Sequence, residues 1–131
     1  MDRPALLLLI ALAGCSSATA PSPGEVWGGE GLGLTMAAGG GTLEYDCADG
    51  RIDGPIVPDG SGRFQATGTH TPGRGGPVHE DDPPPAALPA RYEGRVDGDR
   101  MELLVLLPAA ADTVGRFELR RGRTPTIRRC L

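Results

Sequence analysis

Apolar and polar residues alternate along most of the chain with a period of two, and the breaks between alternating runs carry Gly, Asp and Pro. This is the pattern of half-buried strands joined by tight turns. In 31–37, Leu32, Leu34 and Met36 share one face; in 42–47, Leu43, Tyr45 and Cys47 point inward and Thr42, Glu44 and Asp46 outward. The alternation resumes in 51–56 with Ile52, Gly54 and Ile56 inward, and in 63–70 with Phe64, Ala66 and Gly68 inward. In 91–97, Tyr92, Gly94 and Val96 oppose Arg91, Glu93, Arg95 and Asp97. Runs at 100–107 and 113–121 and a short last one at 127–130 bring the expected strands to eight. No stretch after residue 25 has helical periodicity.

Asp49-Gly50 and Asp97-Gly98-Asp99 are hairpin signals, and most other breaks are short, so consecutive strands are expected to pair antiparallel. Eight such strands leave two open edges unless the sheet closes. The expected fold is therefore all-β, an antiparallel up-and-down meander closing into a small barrel, with an open β-sandwich as the alternative. Small inward residues such as Ala66, Gly68 and Gly94 suit a narrow interior. Two features break the pattern. Leu104 and Leu106 lie on the face opposite Met101, Leu103, Val105 and Leu107, so something covers them or they form an interaction patch. Residues 71–90 form a long proline-rich connection, of the kind that carries function when it occurs in a compact domain.

The first residues are organised differently. The run ALLLLIALA at 5–13 is too short to cross a bilayer, which takes about 20 residues. Following a short charged start and ending in small residues, it reads as an export signal, setting 1–14 apart from the folded chain. Leu12-Ala13-Gly14-Cys15 resembles the lipobox of bacterial lipoproteins. The resemblance implies a diacylglyceryl thioether on Cys15, cleavage after Gly14, usually an acylated new N-terminus, and membrane attachment through the lipid. Two or three acyl chains make such attachment stable where one does not. Residues 15–24 are rich in Ser, Pro and Ala and form a tether, leaving 25–131 as one small β domain. Ser16, where Asp would direct retention at the inner membrane under the sorting rule of the family, favours the outer membrane, with the domain facing the periplasm.

Assigning Cys15 to lipid leaves Cys47 and Cys130 in a compartment where disulfides persist, and they are expected to pair. Two separate buried thiols are the alternative, whereas neither cysteine has a second ligand at zinc-site spacing. A formal charge of −4 argues against nucleic acid as a partner, since phosphate binding needs a dense basic surface. Every basic residue other than the two histidines is arginine.

Candidate chemistry is sparse. His70, with His79, Glu80, Asp81 and Asp82 in the long connection, offers metal-ligand types, but no second histidine stands at i+4 and no metal or cofactor is expected. Ser61 in DGSG lacks the strand-to-helix context of a nucleophile and reads as a turn residue. Arg116, Arg120, Arg121, Arg123, Arg128 and Arg129 face only Glu118 in the linear sequence, a positive excess that could meet an anionic partner. Tyr45-Asp46-Cys47 with Cys130 near the end, on a small lipoprotein of barrel form, resembles the membrane-bound C-type lysozyme inhibitors. These insert a loop with a Ser-Gly-x-x-Tyr type motif into the enzyme cleft; Ser61-Gly62-Arg63-Phe64 matches the first two positions and brings no tyrosine. The expectation is an uncharacterised lipid-anchored envelope protein that binds an envelope protein or small ligand and is not an enzyme, with inhibition of an envelope-acting hydrolase as the alternative.

Overall fold

The structure, a computed structural model, describes residues 19–74 and 76–130. The apolar run at 1–14 and Cys15 lie outside the described residues. Eight antiparallel strands form a closed barrel in sequence order: β1 (Val26–Gly29), β2 (Leu32–Ala37), β3 (Gly40–Tyr45), β4 (Ala48–Ile52), β5 (Arg63–Pro72), β6 (Leu88–Asp97), β7 (Arg100–Leu107) and β8 (Asp112–Arg121). Among the described residues the helical structure is one 3₁₀ turn, Pro108–Ala110. Closure comes from β1 pairing with β8 through Trp27↔Arg121 and Gly28↔Arg120.

The meander and its closure follow the alternation, but four expected features shift. The first strand is Val26–Gly29, which has no alternating signature because Trp27, Gly28 and Gly29 are all buried. The expected strand at 127–130 is instead an irregular tail that lies outside the barrel against β1, with one parallel bridge, Glu30↔Thr126. The hairpin expected at Asp49-Gly50 turns at Asp46-Cys47, so Asp49 and Gly50 lie within β4, the strand ends at Ile52, and Cys47 is exposed rather than inward. The Gly98-Asp99 turn is where the sequence puts it. Strands β5 and β6 extend further than the alternation indicates, pairing as far as His70↔Leu88, so the long connection is 73–87 rather than 71–90.

All five aromatic residues point into the barrel, and the larger glycine-rich spaces serve them. A Cβ on Gly50 would sit 2.6 Å from the Tyr92 hydroxyl, and one on Gly94 would sit 2.6 Å from the Phe64 ring. With Trp27, Leu34, Tyr92, Met101, Leu103 and Leu119 almost completely buried, the interior is packed rather than hollow, the outcome that eight strands permit. Outward positions of the long strands carry Arg, Glu, Asp, Thr and Gln. This inverts the apolar outer band of a membrane-spanning barrel. Leu104 and Leu106 are half-buried, directly opposite Arg116 and Arg91 on the neighbouring strands.

The C-terminal tail explains two further glycines. It climbs the outside of β1 and β2, where a Cβ on Gly28 would lie 2.1 Å from the Arg123 carbonyl oxygen and one on Gly33 would lie 2.6 Å from Pro125. The Gly31 N–H donates to the Thr126 carbonyl (2.8 Å) and the Thr126 N–H to the Gly29 carbonyl (3.0 Å). Cys130 then bonds to Cys47, 83 positions away in sequence, and ties the tail to the β3–β4 turn.

Candidate binding site at the mouth of the barrel

The two ends of the barrel are built differently. At the end where β8 finishes, Arg121 points inward over the Trp27 ring, 4.6 Å from its centroid. Its guanidinium pairs with Glu25 and, at 3.3 Å, with Asp99, while the Trp27 Nε1–H donates to Glu25 (3.2 Å). Ile56, from the 53–62 connection, joins the same core. This end is plugged.

The other end gathers the 30–31, 46–47, 73–87 and 108–111 connections and the disulfide. It contains a cavity of about 400 Å³ walled by Tyr45, Cys47, His70, Pro72, Val114 and Phe117. Each wall residue has a local cause. Tyr45, His70 and Phe117 are inward members of β3, β5 and β8. Val114 is the extra residue of a bulge, since Val105 pairs with Gly115 while Leu106 pairs with Thr113; such a bulge re-aims a side chain at a barrel rim. Cys47 adopts a left-handed backbone, φ 59°, in the two-residue turn.

The rings meet edge to face: Tyr45 lies 5.2 Å from His70 and 5.9 Å from Phe117 between centroids. Beneath them the Tyr45 hydroxyl donates to the Tyr92 hydroxyl (3.3 Å), which donates to the Thr69 carbonyl (2.6 Å). Burial pushes both phenols above the usual tyrosine range, Tyr45 far above it, so they remain protonated donors. His70 is 6 % exposed, and among the described residues its Nδ1 has no hydrogen-bond partner. Burial holds its pKa below the ordinary histidine value, so the ring is neutral at neutral pH. A largely apolar, aromatic cavity with a few convergent polar groups is the usual form of a small-molecule site, and barrel mouths are a usual place for one.

The other sequence-derived candidates separate. His79, Glu80, Asp81 and Asp82 are exposed in the 73–87 connection, where the Asp82 carboxylate accepts the His79 N–H (2.9 Å) and closes a turn. Among the described residues no three His, Cys, Asp or Glu side chains form a group that could hold a metal ion. Ser61 belongs to a turn in which Asp59 Oδ1 accepts from the Ser61 N–H, the Ser61 hydroxyl and the Arg63 N–H. The Ser61 hydroxyl bond in particular holds the Asp59 carboxyl below its usual range. The linear arginine excess divides: Arg121 is paired in the plug, Arg120 and Arg123 lie on the outer face of the sheet near it, and Arg128 and Arg129 are on the tail beside the mouth. The Arg128 N–H donates to Asp46. Sequence reasoning raised His70 only as a metal ligand, and it missed Phe117 and Val114 as site residues.

No model of a known protein family, no curated protein and no solved structure matches the chain.

Proposed function

We propose that the mature protein is a lipid-anchored protein of the bacterial envelope that acts by binding, and that its mouth receives a small, mainly apolar ligand with one polar group. The observation that carries the binding reading is the buried, unpartnered His70 Nδ1 in the wall of an aromatic cavity, since a buried polar atom without a partner is costly unless a ligand completes it. The packed interior favours a ligand held at the mouth over one swallowed by the barrel. The described chain enters the barrel at the plugged end, where the Gly24 N–H donates to the Met36 carbonyl. An anchor at Cys15 followed by this tether leaves the mouth facing away from the lipid. The 16–24 segment reaches at most about 30 Å when extended. Attachment to the outer membrane, facing the periplasm, rests on Ser16 and the lipobox resemblance.

Phenol, a ring with one hydroxyl, is the probe for the mouth. It is expected to bind saturably, shifting the His70 and Phe117 ring signals in nuclear magnetic resonance spectra, and His70→Phe is expected to abolish the effect. Unchanged ring signals at saturating phenol would reject the site. The same variant tests the pH dependence. Because the folded-state pKa of His70 lies below the unfolded value of about 6.5, its contribution is fully present above that value and is lost as pH falls through the folded pKa. His70→Phe is therefore expected to flatten the loss of stability on the acid side of pH 6.5, measured by urea unfolding across pH. For the anchor, Cys15→Ala is expected to move the protein from the membrane pellet to the supernatant, and the wild-type mature mass is expected to match a chain beginning at acylated Cys15. A wild-type chain retaining Met1, with no added lipid mass, is the result that rejects it.

A further inference from the structure

The mouth offers a ligand acceptors and aromatic rings but few donors. Three main-chain N–H groups of its wall are spent inside the protein: Gly31 donates to the Thr126 carbonyl (2.8 Å), Asp46 to the Gly31 carbonyl (3.2 Å) and Cys47 to the Arg128 carbonyl (3.3 Å). The phenols are spent too, since Tyr45 gives its hydrogen to Tyr92 and Tyr92 gives its own to the Thr69 carbonyl, which leaves lone pairs. Neutral His70 supplies one N–H and one bare nitrogen. Among the described residues the wall contains no arginine, and Asp46 is its one acidic side chain. The Asp46 carboxylate accepts the main-chain N–H of Arg128 on Oδ1 (2.6 Å) and makes no ion pair within 4 Å with any described residue.

Gly31 shows where the second oxygen of that carboxylate lies. A Cβ built on Gly31 would come 3.2 Å from Asp46 Oδ2 and 3.8 Å from Phe117 Cε1, so an oxygen and a ring flank one spot that the glycine keeps open. The Tyr45 ring stands at 75° to His70 and 59° to Phe117, so aromatic planes bound the cavity from different directions. Rings set around a space in this way are how proteins recognise organic ammonium ions.

Building on the mouth as a small-molecule site, we propose that the polar group of its ligand is a cation: the mouth takes a small organic ammonium ion, its charge beside Asp46 Oδ2 and its apolar part against Tyr45, Phe117 and Val114. An anion would meet Asp46 and find no cation in the wall. A neutral alcohol would gain nothing from the carboxylate. An ammonium group gains both the charge-assisted hydrogen bond to Asp46 and the attraction of the rings. Arg128 and Arg129 are exposed on the tail and are not part of the wall.

Three probes of similar shape separate charge from ring: benzylammonium, benzyl alcohol and benzoate, each titrated near neutral pH into the folded protein and followed by the Gly31 amide and the His70 and Phe117 ring signals in nuclear magnetic resonance spectra. Benzylammonium is expected to saturate with a dissociation constant at least about fivefold below that of benzyl alcohol, and benzoate is expected to bind more weakly than either. Asp46→Asn keeps an oxygen for the Arg128 N–H and is expected to erase the advantage of benzylammonium. Equal affinities for benzylammonium and benzyl alcohol, or an advantage that survives Asp46→Asn, would overturn the cation and leave the pocket standing. Tighter binding of benzoate would overturn it in favour of the tail arginines. Failure of all three probes to saturate would overturn the cation and the pocket together.

Discussion

Reduction of the Cys47–Cys130 bond, or Cys130→Ser, should lower the unfolding free energy by about 4 to 5 kcal/mol, the chain-entropy value for a loop of this length. For a small domain whose total stability is of the order of 5 to 15 kcal/mol, that is a large share. The consequences are local as well as global. The tail is held to β1 by the Gly31 and Thr126 backbone bonds and by Pro125 seated over Gly33, and without the covalent tie these contacts alone must order it. The Gly31 and Thr126 amides should therefore exchange with solvent much faster after reduction, well before the β6–β7 amides do. Cys47 is also a wall of the mouth, and once released its left-handed backbone has no covalent reason to persist. Cys47→Gly, in the background lacking the disulfide, should recover up to about 1 kcal/mol because glycine adopts that conformation without a Cβ clash. Urea unfolding with and without reductant measures the main effect; a difference under about 1 kcal/mol would mean that the tie contributes little to the folded state.

The pieces that could be read from the sequence are those with one wet face. Leu32, Leu34 and Met36, then Tyr92 and Val96, then Met101, Leu103 and Val105 alternate with polar residues and are buried as the alternation requires. With these strands in sequence order, barrel closure followed from the need to remove edges. The missed strand has no wet face. In β1 the tail covers Gly28 and the β8 backbone crowds Gly29, so both sides of the strand are buried and the period-two signal vanishes. The turn was misplaced because Asp-Gly is a strong hairpin dipeptide in isolation. Here the register puts Gly50 opposite Leu43, where the Tyr45 and Tyr92 rings occupy the space a side chain would need.

The mouth was legible only in fragments. His70 stood out by residue type, but its significance lies in Tyr45 and Phe117, which reach it from strands far away in sequence. The bulge that turns Val114 to the rim has no sequence mark beyond a run that alternates imperfectly. The arginines show the opposite error: adjacency in sequence suggested one patch, while the barrel sends Arg121 inward, Arg120 outward and Arg128 to the other end. Cross-strand register, not linear spacing, decides which charges share a surface.

Trp27→Ala should destabilise the domain by about 3 to 5 kcal/mol, the usual cost of emptying a buried aromatic site. Trp27 is fully buried, and it organises the plugged end by more than its volume. Its face holds the Arg121 guanidinium and its Nε1–H bonds Glu25, which in turn pairs with Arg121. Alanine removes the ring that neutralises part of the cost of drawing an arginine inward, so Arg121 should swing toward Asp99 and solvent and the plug should loosen. Trp27→Phe separates the two contributions: it keeps a ring beneath Arg121 and loses only the Nε1 bond and part of the volume, and should cost less than half as much in urea unfolding followed by circular dichroism. Because Trp27 and Gly28 pair with Arg121 and Arg120 across the β1–β8 seam, the alanine variant should open that seam first, seen as early exchange of the Arg120 and Arg121 amides. The mouth lies at the far end of the same strands. Below the unfolding transition, phenol should still bind Trp27→Ala with unchanged affinity, and a parallel loss of binding and stability would show that the two ends are mechanically coupled and that the ligand reads the whole barrel, not its rim.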